Sequence, residues 1–337
     1  MWHSHETASP IVEAWTTYRT GRATQWTPEQ LAAAKGRTGV SVVIPARNEQ
    51  ATIGAIVDTI RRELVEQIPL VDEIVVVDSR STDDTAEVAR RAGARVVSQD
   101  RLTRGLPRME GKGDALWVGL AASTGDVVAF VDGDLHEFSA HFVTGLLGPL
   151  LTDPTVEFVK GFYHRPLIGA VNVETDGGGR VTELAARPLL NLFFPELAGF
   201  VQPLAGEYAG RRSTLERIPF VSGYGVEVGM LIDLIDLVGL DALAQVDLGE
   251  RKHRHQGTEA LGRMASQIMV TAWSRMHRRG LVVEPTPPST LLTQFRRGGD
   301  DALPNLDRQI AVTDTAVTER PPLVSLDPAA LDRVVAA

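Results

Sequence analysis

The sequence predicts an α/β protein built on a doubly wound, mostly parallel sheet, and three stretches carry that expectation. Ser41 to Ile44, Glu73 to Val77 and Val127 to Val131 are apolar runs of strand length, each breaking into polar residues, and helical patterns alternate with them. Sheets of this kind bind ligands outside the carboxyl ends of their strands. The first run breaks at Pro45 into a helix whose apolar residues Ile53, Ile56, Val57, Ile60 and Leu64 recur at helical spacing. The second ends in Asp78-Ser79; Ser81-Thr82-Asp83-Asp84 supplies capping residues for a helix that Gly93 ends. A strand from Arg95 to Val97 and a helix beginning near Lys112 precede the third run, which ends in Asp132-Gly133-Asp134. Ala244 to Leu248 reads as a later strand. Thr258 to Arg279 reads as an amphipathic helix with Leu261, Met264, Ile268, Ala272 and Met276 on one face, and Gly280 follows it. Residues 1 to about 35 are expected to be a partly packed extension, and the Pro- and Gly-rich stretch from about Val283 an extended tail.

The 337 residues allow one large domain or two small ones, and 43% hydrophobic with 23% charged content is that of a globular chain. A net charge of −9, from 34 basic against 43 acidic residues with no basic run, argues against nucleic-acid binding through phosphate neutralisation. No stretch approaches the roughly 20 apolar residues of a membrane span. MWHSHETASP lacks the regions of a signal peptide, so a cytoplasmic protein is expected. The absence of cysteine excludes disulfides, thiolate metal sites and cysteine nucleophiles.

Asp132 and Asp134 are the most informative pair. Two carboxylates where a buried strand surfaces cost folding free energy unless a cation or ligand compensates them, and hard Mg²⁺ or Mn²⁺ suits carboxylate and phosphate oxygens. Alone, such a pair is equally a solvated turn. The other strand ends decide, because Pro45 to Glu49, Asp78-Ser79 and Asp132 to Asp134 converge on one crevice. With a metal, that crevice suits a nucleotide diphosphate. Glu49 and Asp78 can accept hydrogen bonds from base or ribose, and Ser79 can donate or accept. Lys112, between Gly111 and Gly113, can bring a point charge to a phosphate or the base; the plainer alternative is a polar turn before a helix.

The second half has a glycine-rich loop, Asp176 to Leu184, feeding a helix. Free N–H groups there, with Arg180 and Thr182, can bind a phosphate or carboxylate; an ordinary turn capped by Thr182 is the alternative. Gly206-Glu207-Tyr208 and Gly223 to Glu227, with Tyr224, put carboxylates beside small and aromatic residues, as sugar sites do. Glu227 can equally complement the dipole of the helix it opens. After the strand ending at Leu248 come Arg251, His253, Arg254 and His255; from spacing, His253 is either a third metal ligand or a surface residue.

Taken together, VVIPARNE, VVDSRSTDDT, GKGDALW, FVDGDL, GGGRVTELAARPLL, QPLAGEYAG, GYGVEVG and the R-K-H strand end resemble the glucosyl-3-phosphoglycerate synthases. These are retaining, metal-dependent glycosyltransferases of GT-A fold, close to the mannosyl-3-phosphoglycerate synthases. The match runs in order from about Arg37 to His253, with an echo in ERPPLVSL. The resemblance implies a single large GT-A domain with a helical C-terminal part. Its pieces are an N-terminal extension (1–35), a nucleotide-sugar-binding half (36–165), an acceptor-binding half (166–257) and a C-terminal helix with its tail (258–337). It further implies Mg²⁺ or Mn²⁺, a homodimer, and transfer of glucose from UDP-glucose or GDP-glucose to the 2-hydroxyl of 3-phosphoglycerate.

Carried over by position, the resemblance implies that Pro45, Ala46, Arg47, Asn48, Glu49, Ser79, Lys112, Asp132 and Gly133 contact the donor. Asp134 and His253 would ligate the cation, with Tyr224, Glu227 and Arg251 against the donor and Asp134, Glu227 and Arg251 forming the catalytic set. Gly179, Arg180, Val181 and Thr182 would cradle 3-phosphoglycerate, with His255 beside it. Three positions depart from the family pattern: Arg47 replaces an apolar residue at the base pocket, Gly133 replaces serine, and His255-Gln256 replaces Asn-Arg. The competing readings are a mannosyl enzyme using GDP-mannose, a nucleotidyltransferase and a non-catalytic sugar-nucleotide sensor. A nucleotidyltransferase would carry a glycine-rich basic loop where this chain reads PARNEQ.

Overall fold

The computed structural model describes residues 10–103, 106–164, 179–251, 257–283, 286–297 and 308–327. Its strands are β1 (Thr20–Arg22), β2 (Val40–Ala46), β3 (Glu73–Asp78), β4 (Arg95–Ser98), β5 (Val127–Phe130), β6 (Phe158–His164), β7 (Tyr208–Arg211), β8 (Phe220–Val221), β9 (Leu243–Glu250), β10 (Leu291–Arg297), β11 (Arg308–Asp314) and β12 (Glu319–Arg320). Eight of them form one sheet in the order β1-β9-β6-β7-β5-β2-β3-β4. Every neighbouring pair is parallel except those made by β7, which runs antiparallel to β5 and β6. The mostly parallel doubly wound sheet expected from the sequence is therefore the sheet observed.

Why the strands lack a polar face is visible in where alternate residues go. Val43, Val75 and Val77 join one buried cluster; Val42, Ile44, Ile74 and Val76 join the other, on the opposite face. The first cluster is filled by the helices Lys112–Ala122, Val226–Val238 and Thr258–Arg278. Ile53–Ile60 and His141–Thr152 fill the second. Ile53, Ile56, Val57 and Ile60 are fully buried as their spacing predicts, and Leu64 joins them from a π-helical turn, Arg61–Gln67. Gly93 ends its helix in the left-handed conformation at φ +106, its N–H bonded to Ala89 O and Arg90 O. Asp83, rather than the N-cap Asp84, serves that helix's start: its Oδ1 accepts the Thr85 N–H at 3.1 Å.

The described parts of the expected extension and tail are built in more firmly than the sequence suggests. In the expected extension, β1 pairs with β9 at the sheet edge, and the buried Trp15 donates from Nε1 to Leu240 O at 3.0 Å and Leu243 O at 2.9 Å. In the expected tail, β10 and β11 form a hairpin, and β12 pairs with β8. A helix anchored by Thr27 follows β1, with Gln30 completing a reciprocal cap: Thr27 Oγ1 accepts the Gln30 N–H at 3.3 Å and Gln30 Oε1 the Thr27 N–H at 3.0 Å. Among the described residues no helix is long and apolar enough to cross a membrane.

Candidate active site

The carboxyl ends of β2, β3 and β5 open on a cleft of about 710 Å³. After β2 the chain must turn sharply. Asn48 takes φ +57, held by the Thr82 N–H on its Oδ1 at 2.8 Å and by its own N–H on Ser81 Oγ at 3.0 Å. The Glu49 N–H donates to Thr85 Oγ1 at 2.8 Å, and the Ser79 N–H to Ala46 O at 2.9 Å. The PARNE turn is thus locked to the loop after β3. Asp78, expected in the same crevice, does not line it; its Oδ1 accepts the Ser81 N–H at 3.3 Å instead.

At the β5 end, Gly133 presents its carbonyl to Thr52 Oγ1 at 2.7 Å, and a Cβ there would lie 3.0 Å from Pro45 O. That close approach fixes the spacing between the β2 and β5 turns and explains why a small residue separates the two aspartates. Asp132 turns towards Lys112, whose Nζ stands 2.5 Å from Asp132 Oδ1 and 3.1 Å from Glu227 Oε1. Lys112 opens one helix, and Glu227 lies in the first turn of another. Arg251, just past β9 and 6% exposed, reaches four partners: Tyr163 OH at 2.7 Å, Glu207 Oε1 at 2.8 Å, Asp134 Oδ1 at 3.0 Å and Asp132 Oδ2 at 3.3 Å.

The electrostatics follow from this crowding. Burial works to raise Asp132, yet Lys112 and then Arg251 outweigh it and hold the carboxyl well below the usual range. Burial likewise opposes the charge on Lys112, but Asp132 and Glu227 keep it firmly protonated. Glu207 is raised by its burial, which Arg251 offsets only in part. Four carboxylates (Asp132, Asp134, Glu207, Glu227) crowd around the paired cations Lys112 and Arg251, with Lys160 buried close by, and a divalent ion would relieve the repulsion among them. Asp134 fits such an ion: its side chain is 58% exposed to the cleft and offers hard oxygen, and Mg²⁺ commonly takes one or two carboxylates with substrate phosphates completing its shell. Among the described residues no three His, Cys, Asp or Glu side chains group into a metal site by themselves. His253 and His255 lie outside the described residues.

On the other side of the cleft, Gly179, Arg180, Val181 and Thr182 form the wall. Gly179 takes φ +90, a conformation glycine adopts without strain. Thr182 is buried and lies inside the first helical turn, so it is not the cap that the alternative reading required. Tyr224, half-exposed, is held by its N–H on Gln267 Oε1 at 3.0 Å. Pro45, Ala46, Arg47, Asn48, Glu49, Ser79, Lys112, Asp132, Gly133, Asp134, Tyr224, Glu227 and Arg251 all line this same cleft. Sequence reasoning missed Thr52 and Tyr163, which position Gly133 and Arg251, because a hydroxyl beside apolar neighbours carries no signal of its own. It also missed that Leu261, Met264 and Ile268 line the cleft, although their helical spacing predicted a buried face.

A model of glycosyl transferase family 2 matches residues 41–173. The chain is 46% identical over 314 residues to a glucosyl-3-phosphoglycerate synthase of Mycolicibacterium smegmatis, covering 93% of this chain and 98% of that one. It is 46% identical over 325 residues to the Mycobacterium tuberculosis protein of the same name, covering 95% and 94%. Among solved structures, mannosyl-3-phosphoglycerate synthase from Rubrobacter xylanophilus matches with a TM-score of 0.84 and 41% identity over 93% of this chain and 99% of that one. Glucosyl-3-phosphoglycerate synthase from M. tuberculosis in complex with Mn²⁺, UDP-glucose and phosphoglyceric acid matches with a TM-score of 0.76 and 42% identity over 91% and 98%. The M. tuberculosis enzyme in complex with Mg²⁺ and UDP matches with a TM-score of 0.77 and 43% identity, also over 91% and 98%.

Proposed function

The chain belongs to the glucosyl-3-phosphoglycerate synthase family, and from that premise we propose that it transfers glucose from UDP-glucose to the 2-hydroxyl of 3-phosphoglycerate, with Mg²⁺ or Mn²⁺. The observation that carries this reading is the placement of the Asp132–Lys112–Glu227–Arg251–Asp134 cluster at the β5 end, with the Gly179–Thr182 wall in the same cleft. Sheet order then gives the donor a direction. The nucleoside lies over the ends of β2 and β3, against Pro45 to Glu49 and Ser79, and its diphosphate meets the carboxylates at β5. The acceptor takes the remaining side, where Arg180 and the loop N–H groups suit its phosphate.

Asp134, with His253 as the further ligand implied by family position, would hold a divalent ion, which would supply positive charge to the departing diphosphate. Lys112, kept protonated by Asp132 and Glu227, adds positive charge on the same side, and Arg251 pairs with both aspartates. Glu227 is engaged by Lys112 and only slightly exposed, so it is poorly placed to act as a free nucleophile at the sugar. Retention therefore follows from same-face attack: the acceptor oxygen bonds to the anomeric carbon as the carbon–phosphate oxygen bond breaks. The electron pair leaves with the diphosphate, whose oxygen takes the hydroxyl proton. A glycosyl adduct on Glu227, trapped with a slow donor and found by mass spectrometry, would replace this route with a double displacement.

The test is nucleoside diphosphate release by the purified protein with Mg²⁺ and 3-phosphoglycerate, run in parallel with UDP-glucose, GDP-glucose and GDP-mannose. Acceptor-dependent release with a glucose donor supports the proposal. Preference for GDP-mannose makes it the mannosyl enzyme, the second reading favoured by the likeness to the R. xylanophilus structure. Donor binding without turnover on any acceptor leaves a sensor. The reading also includes a homodimer, supported by an apolar outer face on the β10–β11 hairpin, and a cytoplasmic site of action, where a phosphorylated metabolite is available as acceptor.

A further inference from the structure

The C-terminal segment runs behind the donor side of the cleft and is fastened there to two separate pieces of it. One attachment is to the turn that carries Tyr224 and Glu227. β12 pairs with β8, Thr318 O accepts the Ser222 N–H at 2.8 Å, and the Thr318 N–H donates to Ser222 Oγ at 3.0 Å. The other is to the helix that starts at Lys112. Arg320 Nε donates to Asp114 Oδ1 at 2.5 Å, the two side chains being 2% and 0% exposed. Gln99 occupies the other oxygen of Asp114, the Arg320 guanidinium lies 5.4 Å from the centre of the Trp117 ring, and Trp117 Nε1 donates to Pro321 O at 2.9 Å. Glu319 is itself tied to Arg275, which also holds Asp233 at 2.6 Å.

These two pieces touch each other backbone to backbone. A Cβ on Gly113 would collide with the Val221 carbonyl oxygen, and one on Gly111 would stand 2.7 Å from the Gly223 nitrogen. Across that joint, on the cleft side, stands the 3.1 Å contact between Lys112 and Glu227. Stability alone does not require an ion pair behind the joint, because apolar side chains of similar volume commonly serve a buried site as well or better. What a buried carboxylate held at one oxygen by Arg320 Nε and at the other by Gln99 adds, with the planar guanidinium packed near Trp117, is a fixed geometry.

We propose that Arg320 is a positioning residue for the donor site: through Asp114 and the β8–β12 pairing it sets the separation of Lys112 and Glu227. This rests on the donor-binding role of those two residues. The C-terminal segment is in consequence part of the catalytic architecture, although none of its described residues lines the cleft.

The test compares wild type with the double variant Asp114→Asn/Arg320→Met, which removes both buried charges together, and with Arg320→Lys, which keeps a cation opposite Asp114 but loses the planar guanidinium beside Trp117. Steady-state kinetics with UDP-glucose and 3-phosphoglycerate, UDP binding by calorimetry and thermal unfolding are measured on each. The double variant is expected to unfold near the wild-type temperature while its donor KM rises and kcat falls by a combined roughly ten- to hundredfold, with acceptor KM nearly unchanged. Arg320→Lys is expected to fall between the two. Wild-type donor KM and UDP affinity in the folded double variant overturn the proposal, and so does a loss confined to the active fraction with KM unchanged. If the double variant does not fold, Arg320→Lys decides by the same criteria. Lys112→Met, measured alongside, separates the two levels of inference. If it leaves donor KM and UDP binding unchanged, the donor reading itself fails; if it weakens both while the Arg320 variants do not, only the positioning role fails.

Discussion

Asp134 is the one carboxylate of the cluster that faces the cleft with most of its surface, and its single described partner is a guanidinium that a cation can replace electrostatically. Asp134→Ala is therefore expected to reduce metal-dependent turnover to background, a loss of about a hundredfold or more, without lowering the unfolding temperature. Turnover by wild type that persists in excess EDTA would remove the metal from Asp134. Lys160 makes a different demand. It is buried in β6 with its ammonium 4.4 Å from the centre of the Tyr208 ring and no hydrogen-bond partner among the described residues, and burial pushes it down to about 7, Glu227 opposing. Below pH 7 it is charged whether the chain is folded or unfolded, so the full cost of burying that charge is present. As pH rises from 7 towards 10.5 the folded chain has released the proton and the unfolded chain has not, so stability grows. Lys160→Met is expected to raise stability by on the order of a few kcal/mol near about pH 6, with the gain shrinking towards about pH 9. Denaturant midpoints at the two pH values check it, and a gain that does not vary with pH would show that Lys160 titrates as an ordinary lysine.

The helix starting at Lys112 and the strand β8 meet without room for a side chain, and this contact governs what the element level tolerates. Gly113→Ala places a methyl group against the Val221 carbonyl, so one backbone must move, at a cost of about 3 kcal/mol. A lowered unfolding temperature together with a raised donor KM is the expected pair of results; an unfolding temperature equal to wild type would mean the helix start is not held against β8. Much of this architecture was legible in the sequence, for identifiable reasons. Buried parallel strands have no polar face, so Val42–Ile44, Ile74–Val77 and Val127–Val131 stand out as continuous apolar runs, and their ends mark the cleft. Asp132 and Asp134 stand out because carboxylates at the end of a buried strand have few other purposes, whereas Lys112 and Glu227 at helix starts and Arg251 past β9 are singled out mainly by the family resemblance. What escaped notice lies in β1 and β12. A strand of three residues, Thr20–Arg22, or two, Glu319–Arg320, carries no periodicity, and single side chains, Trp15 and Arg320, fix the segments instead. The amphipathic face of Thr258–Arg278 was legible as a buried face, while its place against this cleft depends on contacts far apart in sequence.

At the scale of the whole molecule, the β10–β11 hairpin is where the described residues present a cluster of large apolar side chains to solvent. Its register places Leu291, Phe295, Ile310 and Val312 on one face, with Phe295 directly across from Ile310 and Thr293 across from Val312. All four large side chains are between 49% and 62% exposed, whereas Gln294, pointing the other way, donates to Glu259 O on the long helix at 3.2 Å. A two-stranded ribbon is marginal by itself, and an apolar face with open edges favours association. A second copy of the chain fits these demands, because twofold symmetry would lay the same face on itself. Replacing Phe295 and Ile310 together by glutamate would then put like charges on both sides of the symmetric contact and bury them without partners. Sedimentation equilibrium is expected to show a dimer for wild type and a monomer for the double variant at the same concentration. Its donor and acceptor KM should stay near wild type, since neither residue lines the cleft. A wild-type monomer, or a variant dimer of unchanged affinity, would move the interface off the hairpin. A monomer with lost turnover would instead mean that association supports the Gln294–Glu259 contact, and through that helix the wall formed by Leu261, Met264 and Ile268.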